Sequence, residues 1–178
     1  MKASFTKKFK IVFCAIIVLM GIYIVWSPFS LIKIGDRTNP YRLDKTLITE
    51  ITSETRGMSA EDIRRYSIRK TARRLSFSVT NNLPKHEANC VGYAQMCASI
   101  SNYAFAKNNI QASAKPVVGY MTFYGINLCN VMKFFMPTQR WKNFVKDHDF
   151  VEYHIDGKII YCDASTYDLL CKDLKTIK

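Results

Sequence analysis

The sequence predicts an α+β fold. A helix that starts with a cysteine packs on a small antiparallel sheet, N-terminal helices precede it, and one transmembrane helix precedes those. Three observations predict this. Ile11 to Ile32 is an uncharged run of 22 residues, long enough to span a bilayer's hydrocarbon core. Asn89, a good N-cap, stands directly before Cys90 and a helix-like spread of apolar residues. Asp156-Gly157 is a two-residue turn signal between the runs Val151–Ile155 and Lys158–Cys162.

The chain has 178 residues, 48% of them hydrophobic. That is enough for one ordinary domain with a buried core. The net charge of +12 is uneven. Residues 1–32 carry 4 Lys/Arg and no acids, residues 33–78 carry 11 against 6, and residues 79–178 carry 11 against 8. A basic excess close to an apolar span suits anionic lipid headgroups better than nucleic acid. The sequence therefore predicts a membrane partner and no nucleic-acid partner.

Residues 1–10 form a basic segment, with Lys2, Lys7, Lys8 and Lys10 ahead of the span. Residues 11–32 are expected to be an uncleaved signal anchor, because the run is long and no small-x-small cleavage site follows it. The dense preceding lysines predict a cytoplasmic N-terminus and a domain outside, in a periplasm or the extracellular space. Residues 33–58 are expected to be a juxtamembrane linker. Gly35 to Pro40 has linker composition, and the mostly polar Thr46–Thr55 is a short helix or more linker. Residues 59–178 form the domain.

Ser59-Ala60-Glu61-Asp62 starts a helix that runs to Leu75, with an N-cap and acids in its first turn. Ile68, Ala72 and Leu75 make its apolar stripe. Arg65, Arg69 and Arg73 make a basic row beside Arg64, Lys70 and Arg74. That row reads as a solvated face, or as a surface for lipid headgroups or an acidic partner across 59–75. It lacks the interleaved aromatics of a nucleic-acid surface. Asn81 to Ala88 is a loop. Cys90 to Lys107 is a helix ended by Asn108-Asn109, and Ala112 to Tyr120 is a strand. Met121 to Asp147, rich in aromatics and methionine, is extra core, a hairpin extension, or a lid. Tyr167–Leu170 is a helical turn, and Lys172–Lys178 a polar tail. No repeat, phosphate loop or nucleotide motif occurs, and no cofactor is implied.

The chemistry lies in three residues. A free cysteine, with a pKa near ~8.5, is mostly thiol at neutral pH, and the thiolate is the nucleophile. The start of a helix and a nearby imidazolium both favour the thiolate. His148 supplies the imidazole. With the Asp156-Gly157 turn, Ile155 pairs with Lys158, and counting back sets Phe150 opposite Asp163. Side chains alternate along a strand, so His148, Phe150 and Glu152 share a face and Asp163 points to it. Asp163 is then diagonal to His148, within reach of long side chains. A slip of one residue would turn Asp163 away. Asp147 and Asp149 point opposite to His148, and the cysteines lack zinc spacing, so no metal site is expected. Cys90 and Cys97 are two helical turns apart, about 10 Å, too far for a disulfide.

Four blocks resemble the transglutaminase-like superfamily of papain-like thiol enzymes. They are Asn89-Cys90-Val91-Gly92-Tyr93-Ala94, Ala114-Lys115-Pro116-Val117-Val118-Gly119, His148-Asp149-Phe150-Val151 and Asp163-Ala164-Ser165. The departures are Phe150 for the usual Trp, Ala164 for the usual Pro, and a long apolar insert before His148. The resemblance implies a papain/transglutaminase-like fold and a thiol acyl-transfer enzyme, a peptidase or amidase acting on a protein, peptide or other amide. Cys90 would be nucleophile, His148 acid and base, and Asp163 the group that orients the imidazole. The backbone N–H of Cys90 would donate to the oxyanion, helped by a side chain upstream, for which Asn81, Asn82 and His86 are candidates. The alternative is a catalytically inert domain acting as a membrane-tethered interaction module.

Overall fold

The hairpin at Asp156-Gly157 sets the register on which the sheet is built. In the computed structural model, which describes residues 29–178 apart from 39, 83, 84, 140, 141, 143 and 144, Asp156 has φ 51° and Gly157 φ 72°. Two positive φ values in a row match the right-handed twist of the flanking strands. Strands β6 (His148–Ile155) and β7 (Lys158–Cys162) pair from Ile155 with Lys158 back to Val151 with Cys162. Asp163 follows immediately, one residue past the last pair.

The sheet has six antiparallel strands. Its main order is β1 (Phe29–Asp36), β4 (Ser113–Phe123), β6, β7 and β8 (Lys175–Ile177), with β5 (Ile126–Asn127) on β4. The first and last strands of that order approach each other: the Leu31 N–H donates to Thr176 Oγ1 at 3.1 Å. The sheet is thus a curled half-barrel. Leu31, Val117, Phe150 and Tyr161 form an apolar cluster on one face, with the Phe150 and Tyr161 rings edge to face at 5.4 Å. The other face packs on helices α1 (Lys45–Glu54), α2 (Ala60–Arg74) and α3 (Cys90–Lys107). Strands β2 (Ser76–Phe77) and β3 (Glu87–Ala88) form a separate parallel pair just before α3. Helices α4 (Leu128–Phe135) and α5 (Ala164–Leu170) complete the five among the described residues.

Each central helix has a local cause. Ser59 Oγ accepts from the Asp62 N–H at the start of α2. Asn89 Oδ1 accepts from the Val91 N–H at the start of α3. α3 buries Tyr93, Met96, Cys97 and Ile100 completely, against Val151 and Tyr153 of β6. Such side chains contribute about 1.5–3 kcal/mol each. The Tyr153 hydroxyl finds its partners inside the core, in Ser101 Oγ at 3.0 Å and Cys97 Sγ at 3.2 Å.

The expected fold, a papain/transglutaminase-like small sheet behind a transmembrane helix, is corrected by this architecture. Phe29–Ile32, the end of the expected 11–32 span, are strand: Phe29 pairs with Phe123 and Ile32 with Tyr120. Residues 11–28 lie outside the described residues, and among the described residues no helix is long and apolar enough to cross a membrane. An uncharged run carries no periodicity that separates strand from helix, and a partner about 90 residues away decided for strand. The stretch expected as a linker, 33–58, holds the rest of β1 and α1, whose Leu47 and Ile51 are fully buried. The polar tail contains β8, and α5 begins three residues before the expected helical turn.

The basic row on α2 is largely committed. Arg64 is buried, with Nε and Nη2 on Glu61 and a two-point contact to Asp173 at 3.0 and 2.7 Å. Lys70 bridges Glu50 and Glu54, and Arg74 reaches Asp44. These ion pairs clamp α2 to α1 and to the segment before β8, which leaves Arg69 and Arg73 as its outward row.

Candidate active site

Cys90 is the first residue of α3. The amides of a first helical turn have no acceptor within the helix, so its N–H is placed to meet an incoming oxygen. The Cys90 side chain is half-buried, lines the same cavity as His148 and is one of the groups that favour the charged imidazole. His148 opens β6, and its Nε2 lies 2.5 Å from Asp163 Oδ2. Nδ1 is the ring nitrogen that Asp163 does not engage. The structure therefore brings together three residues drawn from a helix start, a strand start and a strand end.

Asp163 does two jobs. It is the N-cap of α5: its Oδ1 accepts from the Ser165 N–H at 2.9 Å, the Thr166 N–H at 3.1 Å and the Ser165 hydroxyl at 2.7 Å. Its Oδ2 faces His148 and also accepts from the Thr166 hydroxyl. Burial alone would raise its pKa. The His148 charge and the donors around it prevail and bring it down to about 2. Burial likewise works against the imidazolium, but the Asp163 carboxylate and the hydrogen bonds to Asp163 and Cys90 hold His148 well above its usual range. An imidazolium beside a sulfur is the charge that favours a thiolate.

The three candidate oxyanion side chains lie elsewhere. Asn81 Oδ1 accepts from the Asn89 N–H at 2.8 Å and so braces the approach to Cys90. Asn82 pairs with Glu87 through the backbone, and His86 is exposed with φ 58°. None of them lines the cavity at Cys90.

That cavity holds about 500 Å³. Cys90, His148, Ser165 and Thr166 stand at one part of its wall. Much of the rest is Met121, Leu128, Cys129, Met132, Val145 and Leu169. Cys129 is buried, and desolvation pushes its thiol up.

The chain matches no family model, no curated protein and no solved structure. The resemblance to transglutaminase-like enzymes rests on the four sequence blocks alone.

Sequence reasoning missed several supporting residues. Arg37, expected in a linker, makes a two-point contact with the fully buried Asp149, at 2.7 and 3.0 Å, and its charge reaches Cys90. Nothing in the sequence signals this, because it depends on β1 lying beside β4. The Tyr93 hydroxyl shares its one proton between Asp168 Oδ2 at 2.6 Å and the Leu75 carbonyl oxygen at 3.0 Å, which ties α3 to α5 behind the site. Thr166 had a legible signal, since Asp163-Ala164-Ser165-Thr166 is a good capping sequence.

Proposed function

We propose that this protein is a thiol acyl-transfer enzyme of the peptidase or amidase kind, working through Cys90, His148 and Asp163. The observation that carries the reading is the His148 ring, hydrogen-bonded to the buried Asp163 carboxylate and lining one cavity with the Cys90 side chain at the start of α3. The Cys90 sulfur attacks a carbonyl carbon, and the backbone N–H of Cys90 donates to the oxygen as it becomes negative. The carbonyl–nitrogen bond breaks as His148 gives its proton to the leaving amine. Water, or an amine, then attacks the acyl thioester, gives a proton to His148 and releases the Cys90 sulfur as thiolate beside the imidazolium. Asp163 keeps the imidazole in one tautomer and orientation throughout. The four-block likeness to transglutaminase-like enzymes belongs to the same proposal, as does a location at a membrane through the residues ahead of β1.

The test is the rate of iodoacetamide labelling of the full-length chain against pH, mapped by mass spectrometry, in wild type and His148→Ala. Burial pushes the Cys97 thiol up to about 12 and also raises Cys129 and Cys162, so those three stay slow. Cys171 is exposed and serves as internal reference. Cys90 should label fast well below the ordinary thiol range of about 8–9, and His148→Ala should abolish this. If Cys90 follows Cys171 in both proteins, the enzyme reading fails and an inert interaction module takes its place.

A further inference from the structure

The wall of the Cys90 cavity divides into two kinds of surface. Apart from the half-buried Asp147, its polar side chains are engaged in hydrogen bonds. The Ser165 and Thr166 hydroxyls both donate to Asp163. Asp168 accepts from Tyr93. Most of the surface left for a substrate is sulfur, methyl and aromatic, from Met121, Leu128, Met132, Val145, Leu169 and Phe77, with Asp147 the one further carboxylate on the wall. A polar amino-acid side chain placed there would lose its water and gain few partners, at a cost of about 1–3 kcal/mol for each unsatisfied group. An alkyl chain loses nothing. A volume of about 500 Å³ lies within the range of cavities that enclose whole small ligands.

From this division we infer that the acyl group passed to Cys90 carries a long, unbranched apolar chain, seated in this cavity with its carbonyl at the sulfur. The inference rests on the acyl-transfer reading above and names its substrate class, a long-chain acyl amide or ester. The step is that acyl transfer. The sulfur–carbon bond forms, the bond from the carbonyl to the leaving nitrogen or oxygen breaks, and His148 supplies the leaving group's proton. The acceptor's proton returns to His148 when the thioester is cleaved.

Helix α4 is the wall that would admit the chain. Leu128, Cys129 and Met132 face the cavity, while Phe134 and Phe135 on the same helix are 85% and 72% exposed. The exposed Ile126, in β5 just before this helix, pairs with Phe123, and Phe123 pairs with Phe29. The uncharged run that begins at Ile11 therefore continues into the described chain at Phe29, across β4 from Ile126. A chain donor held in a lipid bilayer and a soluble acyl donor share the chemistry that the cavity recognises.

The experiment measures Cys90 alkylation in the full-length protein by N-ethyl, N-butyl and N-octyl iodoacetamide, each rate divided by that of free glutathione. Full burial of one methylene is worth about fourfold, so partial burial of six should raise the rate about tenfold or more from ethyl to octyl. Leu128→Gln and Met132→Gln, both at positions open to solvent on one side, should each pull the octyl-to-ethyl ratio toward one. Circular dichroism checks that each variant is folded. Presenting the octyl reagent free and in phosphatidylcholine vesicles separates the two sources. Faster labelling from vesicles assigns a bilayer donor, faster labelling in solution assigns a soluble one, and a length preference in either supports the chain. A Cys90 that is fast and His148-dependent but indifferent to chain length overturns this inference and leaves the enzyme reading standing. A slow Cys90 with every reagent overturns both.

Discussion

Replacing Asp163 by Asn removes one charge and little else. Asn has nearly the same shape and is itself a good N-cap, so α5 keeps its start. What is lost is the carboxylate that faces the His148 imidazolium at 2.5 Å. In the folded protein the carboxyl is drawn from its ordinary 3.8 to about 2. At about 1.4 kcal/mol per unit, that difference is worth about 2 kcal/mol of stability when the group is ionised in both states. A folded pKa below the unfolded one stabilises above the unfolded value and is lost as pH falls through the folded value. The contribution is therefore complete above about pH 4 and has dropped below about 0.5 kcal/mol at pH 2. His148 has the opposite sign. Its pKa is raised, so its share is complete below about 6.5 and disappears as pH climbs through the folded value. Wild type should exceed Asp163→Asn most between about pH 4 and pH 6.5. Urea unfolding at pH 5.5 should show a gap of about 2 kcal/mol, or about 4–8 °C in Tm for a chain of this size. The gap should nearly close at pH 2. An equal gap at both pH values would mean that packing, not charge, holds the variant back. No gap at pH 5.5 would refute the ion pair itself.

Three further outcomes follow from the fold. In Gly119→Ala the new Cβ would stand 2.0 Å from the Ile32 carbonyl oxygen and 2.8 Å from Phe150. Strand β1 must then move, at about 2–3 kcal/mol, and a Tm within about 2 °C of wild type would contradict the β1–β4 contact. Arg64→Met should cost about 2–3 kcal/mol in urea, because Glu61 and Asp173 lose their shared partner; a neutral result would show that the clamp on α2 is dispensable. Arg37→Gln leaves the Asp149 carboxylate buried and unpaired, a loss of about 2–4 kcal/mol. The double variant Arg37→Gln/Asp149→Asn should regain part of that loss, and a double variant less stable than the single would refute the pairing.

How much of the molecule was legible depended on the range of the interaction. Asn89, Ser59 and Asp156-Gly157 each act over a few residues. The starts of α2 and α3 and the register of the β6–β7 hairpin could therefore be read directly, and with that register the placement of Asp163 just past its last pair. The nearness of His148 to Asp163 is a consequence of one two-residue turn. The capping role of Asp163 is equally local, carried by Asp163-Ala164-Ser165-Thr166.

The rest came from contacts between distant segments. Ile11–Ile32 determines by composition only that the run avoids water. That its last four residues are strand was decided by β4, which pairs with them across about 90 residues and leaves no mark on the local pattern. Arg64 and Arg65 are neighbours of the same type on one helix, yet one is buried between two carboxylates and the other is exposed. Sequence periodicity can place both on α2, but only the packing of α2 against the segment before β8 tells them apart. Likewise the sequence alone determined which side chains are chemically able to form the site. Whether Arg37 stands beside it, and whether the cavity next to Cys90 is oily or wet, was decided by how the sheet curls and which helices close over it. Those are properties of surfaces that meet only once the chain has folded.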